Sequence, residues 1–221
     1  MAPVRAADKR EDQRAAVYSP GPPAEGLRLA PVTVDQYHRM IQTDILPEGA
    51  PIELIEGLLV SRDRSARGED PMTVGTRHVL MVSRLARLER ELEGRGCFLR
   101  LQAPVSIPPD SEPEPDAAVV RGSPDAYADR HPGPDDVLCV FEVADHSLLT
   151  DRTTKQRIYA RAGIAQYVIV NIRERQIELH AKPQRKEGRY ESVKIYKVGQ
   201  KVRLSLEGKE SIELPADLLL S

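Results

Sequence analysis

The sequence predicts an α/β protein built around a mixed β-sheet, and three observations carry that prediction. VLCVFEV at 137–143 is a continuous apolar run, the pattern of a strand covered on both faces. A helical segment at 151–162, closed by Gly163, follows it, and QYVIVNI at 166–172 is a second buried strand. Two strands joined by a helical crossover are expected to be parallel neighbours. Beyond residue 176, QIELHAKP, YESVKIYKV and KVRLSLEG alternate between turns at Gly188, Gly199 and Gly208, which predicts an antiparallel meander.

The remaining elements follow from local chemistry. Residues 1–30 are rich in Ala, Pro, Gly and charge and show no period, so they read as a flexible arm, with SPGPPAEG extended. Residues 31–221 read as a single domain. TVDQYHRMI at 33–41 predicts a short helix with Thr33 as N-cap and Tyr37, Met40 and Ile41 on one face. IELIEGLLV at 52–60 is strand-like, and its Glu-Gly centre predicts a hairpin or bulge. From Thr76 to Leu92, the spacing of Met81, Leu85, Leu88 and Leu92 predicts one helix, ended by Gly94 and Gly96. PVSIPP at 104–109 and DAAVV at 116–120 read as short strands, and 121–136 as a loop rich in breakers.

Composition narrows the classes. In 221 residues, 40% hydrophobic content suffices for a core, but aromatics at 4% and no Trp make that core aliphatic. A net charge of −2 gives no global support for nucleic-acid binding, so any basic surface must be local. Arg84, Arg87, Arg90, Arg95 and Arg100 offer such a surface, although Glu89, Glu91 and Glu93 compensate it as on a solvated helix face. Cys97 and Cys139 have no metal-ligand spacing and suit a reducing, cytoplasmic setting. The N-terminal stretch lacks the apolar segment of a secretory leader, and no run approaches the roughly 18 apolar residues that span a bilayer.

One acid, Glu142, sits inside the apolar run at 137–143, where a carboxylate must be paired, protonated or bound to a metal. Lys155 shares the apolar stripe of Ile158, Tyr159 and Ala162, and so can turn back toward that strand's end. Asp116 opens a short strand after a proline-rich turn. Two carboxylates at adjacent strand ends could share a hard cation, and the lysine could orient water or neutralise charge on a phosphate. Each residue also has an ordinary reading: Glu142 as a solvent-facing strand end, Asp116 as a turn residue, Lys155 as a snorkelling side chain. Asp151 reads as the N-cap of its helix, Tyr159 as core, and His78 as a partly buried histidine that supports the site. Glu53 and Glu56 point opposite ways in a regular strand.

EPD at 114–116, FEV at 141–143, DRTTK at 151–155 and YARAGIAQYVIVN at 159–171 together resemble the Uma-two family of restriction endonucleases, within the PD-(D/E)xK nuclease superfamily. IELIEG at 52–57 resembles the family's early strand, and His78 falls where its first long helix carries a histidine. The resemblance covers about residues 32–180. It implies a restriction-endonuclease-like fold, with Asp116 and Glu142 as metal ligands, Lys155 as the catalytic lysine and Glu53 as a further ligand or water-orienting group. Ala144 stands where a lysine follows the second acid in much of the superfamily; the family carries that lysine on the helix. Ile52, Val168 and Asn171 are further departures that bear on packing.

The expected activity is hydrolysis of phosphodiester bonds in DNA with Mg²⁺ or Mn²⁺, by a homodimer on the superfamily's precedent. The competing expectation is an inactive nuclease-fold module that binds nucleic acid or a protein partner, and a third is hydrolysis of another phosphate ester.

Overall fold

The computed structural model describes residues 29–61, 75–206, 208 and 210–220, so most of the predicted arm lies outside the described residues. Helix α1, Val34–Gln42, starts as expected: Thr33 accepts from the Gln36 N–H, and the Gln36 side chain accepts from the Thr33 N–H, a complete capping box. Strands β1, Ile52–Ile55, and β2, Leu58–Ser61, form the predicted hairpin. Its two turn residues, Glu56 and Gly57, have φ of 48° and 77°, which a two-residue turn of this hand requires. A Cβ on Gly57 would collide with Pro31 as well.

The predicted long helix is two helices, α2 at Thr76–Leu85 and α3 at Leu88–Leu92. Between them the Arg87, Glu89 and Arg90 N–H groups bond three residues back, which tightens the turn and interrupts the α-helix. The apolar stripe survives the break, because Met81, Leu85, Leu88 and Leu92 are all buried.

Six strands form the central sheet in the order β3-β4-β5-β6-β7-β8: Cys97–Leu101, Ala117–Arg121, Val137–Ala144, Gln166–Asn171, Gln176–Gln184 and Arg189–Tyr196. Only β5 and β6 are parallel, as the crossover reading requires. Strand β3 was not foreseen, since two glycines and a short run carry little signal. PVSIPP is not a strand either. Ile107 makes one bridge to Ser111, and five prolines in this stretch and the turn after it remove ladder donors.

The C-terminal meander is also corrected. Strands β7 and β8 extend the sheet, but β9, Lys201–Ser205, leaves it and pairs with β10, Ser211–Pro215. That two-stranded sheet lays Val202, Leu204, Ile212 and Leu214 on the face of the central sheet that α2, α3 and the short α6, Asp217–Leu220, also cover. The other face carries Ala118, Val120, Val140, Tyr167 and Ile169 against the crossover. Burial on both faces explains why β5 and β6 read as unbroken apolar runs.

The crossover begins earlier than the sequence predicted. Helix α4 spans Leu148–Thr150, a wider π-helical turn spans Asp151–Lys155, and α5 spans Gln156–Ala162. Asp151 is therefore inside the helical run and is not its N-cap. Gly163 closes α5 in the left-handed conformation, φ 84°. No helix among the described residues is long and apolar enough to cross a membrane.

Candidate functional site

Alternation along the strands decides which acids meet. On β4, Ala118 and Val120 face the crossover, so Asp116, just before the strand, faces it too; on β5, Val140, Glu142 and Ala144 share that face. The prolines at 113 and 115 keep the approach to β4 extended. The Gln102 N–H bonds the Asp116 carbonyl at 3.1 Å and the Val105 N–H bonds the Pro113 carbonyl at 3.0 Å, which fixes that approach beside the end of β3. The β1–β2 hairpin is tied to the same stretch, because the Glu112 N–H bonds the Leu54 carbonyl at 2.7 Å and the Glu114 N–H bonds Glu53 Oε1 at 2.8 Å.

The four residues singled out by sequence converge. Lys155 Nζ lies 2.9 Å from Glu142 Oε1 and 3.5 Å from Glu53 Oε1. Asp116 Oδ2 accepts from the Val143 N–H at 2.7 Å, one residue beyond Glu142, and its Oδ1 accepts from His78 Nε2 at 2.9 Å. The Lys155 side chain is only 12% exposed, which rules out snorkelling into water. Glu53, Asp116 and Glu142 are buried as well.

Two further residues belong to the cluster. Tyr159, expected to be core, is fully buried, yet its hydroxyl donates to Glu142 Oε1 at 2.9 Å. Asp151 is 1% exposed and takes a hydrogen bond from Ser147 Oγ at 2.6 Å, and the Tyr167 hydroxyl donates to its backbone carbonyl. Its position four residues before Lys155, on one helical face, was the available signal; reading it as a cap hid it. Glu56 does point elsewhere, into ion pairs with Arg157 and Arg161.

Electrostatics follow from this arrangement: among the described residues the Lys155 ammonium lies against Glu142 and Glu53, with Asp116 and Asp151 near Glu142. Burial, followed by repulsion from Asp151 and Asp116, pushes the Glu142 carboxyl up to about 8 despite Lys155. Burial and the acids Asp116 and Glu53 raise Asp151 to about 6, against the pull of Ser147 and Lys155. Burial opposes the charge on Lys155, but Glu142 and Glu53 outweigh it, so the ammonium is held above its ordinary range. A hard divalent cation fits this donor set, because it is all oxygen and its surplus is negative. Both donors to Glu142 use Oε1, and among the described residues no hydrogen bond uses Oε2.

A second cluster sits along the same stretch of chain. His38 Nε2, on α1, lies 2.8 and 2.9 Å from the two oxygens of Glu112, and the rings of His131 and His38 meet edge-on with centroids 6.1 Å apart. Arg100 donates to His131 Nδ1 at 2.9 Å. Arg100 therefore lies apart from the helix arginines it was grouped with: it alternates with Leu99, which packs with α2 and α3, and so faces the other side of the sheet. These residues line an open pocket of about 1000 Å³. The sequence reading missed this cluster, because its members are 74 and 19 positions apart and share no motif.

The family profile matching residues 34–217 is that of Uma2, described as "Putative restriction endonuclease". The chain belongs to the Uma2 family. Among solved structures, a nuclease-described protein of the DUF820 group from Anabaena variabilis superposes with a TM-score of 0.59 at 16% identity, covering 86% of this chain and 98% of that one. At that identity the likeness shows the fold, a mixed sheet flanked by helices. No curated protein matches this chain.

Proposed function

We propose that this Uma2 protein is a Mg²⁺-dependent endonuclease, with Mn²⁺ able to substitute, that hydrolyses phosphodiester bonds in DNA as a homodimer. Asp116 and Glu142 would hold the ion through carboxylate oxygens, with Glu53 as a third oxygen donor or the group that orients water. When bound, the ion supplies Lewis-acid chemistry, drawing charge from a phosphate oxygen and making water a better nucleophile. Lys155 contributes a fixed positive charge where a phosphate acquires negative charge in the transition state. Its pairing with Glu142 and Glu53 keeps it protonated and aimed before any substrate arrives. Tyr159 holds Glu142 in place, and His78 does the same for Asp116; both are positioning residues.

The observation that carries this reading is the approach of a buried lysine to two buried acids at 2.9 and 3.5 Å, beside a third acid from the neighbouring strand end. A structural ion pair needs one acid per base, whereas here, among the described residues, Asp116 and Asp151 lie near an ammonium already paired with Glu142, and a bound cation would offset negative charge that otherwise only protonation relieves. The test is nicking of supercoiled plasmid DNA by wild type, Glu142→Gln and Lys155→Met with Mg²⁺ or Mn²⁺. Cleavage by wild type alone supports the proposal. DNA binding by wild type without cleavage under either ion replaces it with the inactive binding module. Sedimentation of the full chain tests the dimer.

A further inference from the structure

We propose that His38, Glu112 and His131 form a second metal site, which takes a borderline transition cation of the Zn²⁺ type and is separate from the acid cluster. Two imidazoles and a carboxylate, each offering a ligand atom within 4.8 Å of the others, make a donor set that favours such a cation over Mg²⁺. Glu112 is 3% exposed, and its side-chain hydrogen bonds among the described residues go to His38. Among the described residues no lysine or arginine pairs with it, unlike Glu142, Glu56 and Glu178. A buried carboxylate bridged by a proton to an imidazole nitrogen is the metal-free form of a nitrogen–oxygen ligand pair, and the cation replaces that proton.

The third ligand is available as well. Because Arg100 donates to His131 Nδ1, that nitrogen presents a lone pair. The cation would take over this lone pair, and the guanidinium, whose Nε–H has no partner among the described residues, would turn away. The three side chains come from separate segments that are held independently. On α1, the Tyr37 hydroxyl donates to the Ile52 carbonyl at 2.8 Å and the Val34 N–H bonds the Pro109 carbonyl at 2.9 Å. Glu112 is bridged to Leu54, and the Ser106 N–H bonds the Pro132 carbonyl, next to His131, at 2.9 Å. Ligands held by backbone contacts before the ion arrives need little reordering to bind it. With three protein ligands and a pocket beyond them, the fourth position is left to water, the pattern of an open zinc site.

The test is calorimetric titration of the chelator-treated full chain with Zn²⁺, together with the ligand-field absorption of Co²⁺ as a probe of nitrogen–oxygen coordination. Wild type should bind one equivalent. His38→Ala and His131→Ala should each weaken it at least ~100-fold with an unchanged circular-dichroism spectrum. His78→Ala, which removes the only imidazole bonded to the acid cluster, should retain the equivalent. The proposal is overturned if wild type binds no Zn²⁺, if both pocket variants bind as tightly as wild type, or if His78→Ala alone loses the ion.

Discussion

The acid cluster and the histidine pocket lie on one short stretch of chain, with Asp116 four residues after Glu112, but they handle buried negative charge in different ways. The acid cluster keeps its own cation, Lys155, beside several acids, whereas among the described residues Glu112 pairs with imidazole alone. Lys155 reaches its acids on the rigid crossover that joins the two parallel strands, while His38 comes from α1, an element outside the central sheet. The first arrangement suits a hard ion held by oxygens beside a fixed positive charge. The second suits a softer ion that needs nitrogen and no built-in competitor except Arg100.

The comparison breaks most decisively at Glu142. Glu142→Gln should reduce plasmid nicking by about 10³-fold or more, yet leave Zn²⁺ titration of the pocket as in wild type. If both are lost together, the two clusters form one site. Next is Lys155→Met, which strands the buried acids. It should cost about 3–5 kcal/mol in denaturant unfolding at pH 8. At pH 5, where Glu142 is protonated, the cost should shrink, which no packing defect would imitate.

Wild-type stability sharpens the same point. Glu142 and Asp151 have folded pKa values of about 8 and about 6, above their ordinary carboxylate values. A raised acid binds more protons folded than unfolded, so its contribution is full below the unfolded pKa and is lost as pH rises through the folded one. Stability should thus fall by up to several kcal/mol between roughly pH 5 and pH 8. Mg²⁺ should raise the Tm more at pH 8 than at pH 5, because at the lower pH protons already neutralise the acids; equal shifts at both would contradict the acid cluster as the metal site.

Smaller effects come from the supports. His78→Ala should lower Mg²⁺ affinity or activity by roughly 10–100-fold, the usual penalty for removing a group that orients a ligand. Thr33→Ala removes the cap of the helix that carries His38 and should cost about 1 kcal/mol in denaturant unfolding. It should leave the acid cluster's response to pH unchanged.

Legibility from sequence followed the range of the interactions. The N-cap at Thr33, the hairpin at Glu56-Gly57 and the β5–crossover–β6 unit were readable because local backbone chemistry and periodicity specify them. The break between α2 and α3 was not, because the apolar spacing continues across it, and neither was the departure of β9, because alternation looks the same in whichever sheet a strand joins. In the acid cluster, Asp116, Glu142, Lys155 and Glu53 were found through motif order and helical spacing. Asp151 and Tyr159 were assigned to a cap and to the core: the spacing of Asp151 from Lys155 was overlooked, and the burial of Tyr159 does not show that its hydroxyl reaches Glu142.

By itself the sequence determined the parallel strand pair, the burial of Glu142 within it and the placement of Lys155 on the helical face that returns to it. Those follow from residue spacing, because side-chain direction along a strand or helix is periodic. Only the tertiary structure decided that the hairpin brings Glu53 to 3.5 Å from Lys155, that Asp151 adds a further charge, and that His38, Glu112 and His131 meet in one pocket. Such encounters depend on how separate segments pack in space, and no period along the chain records it.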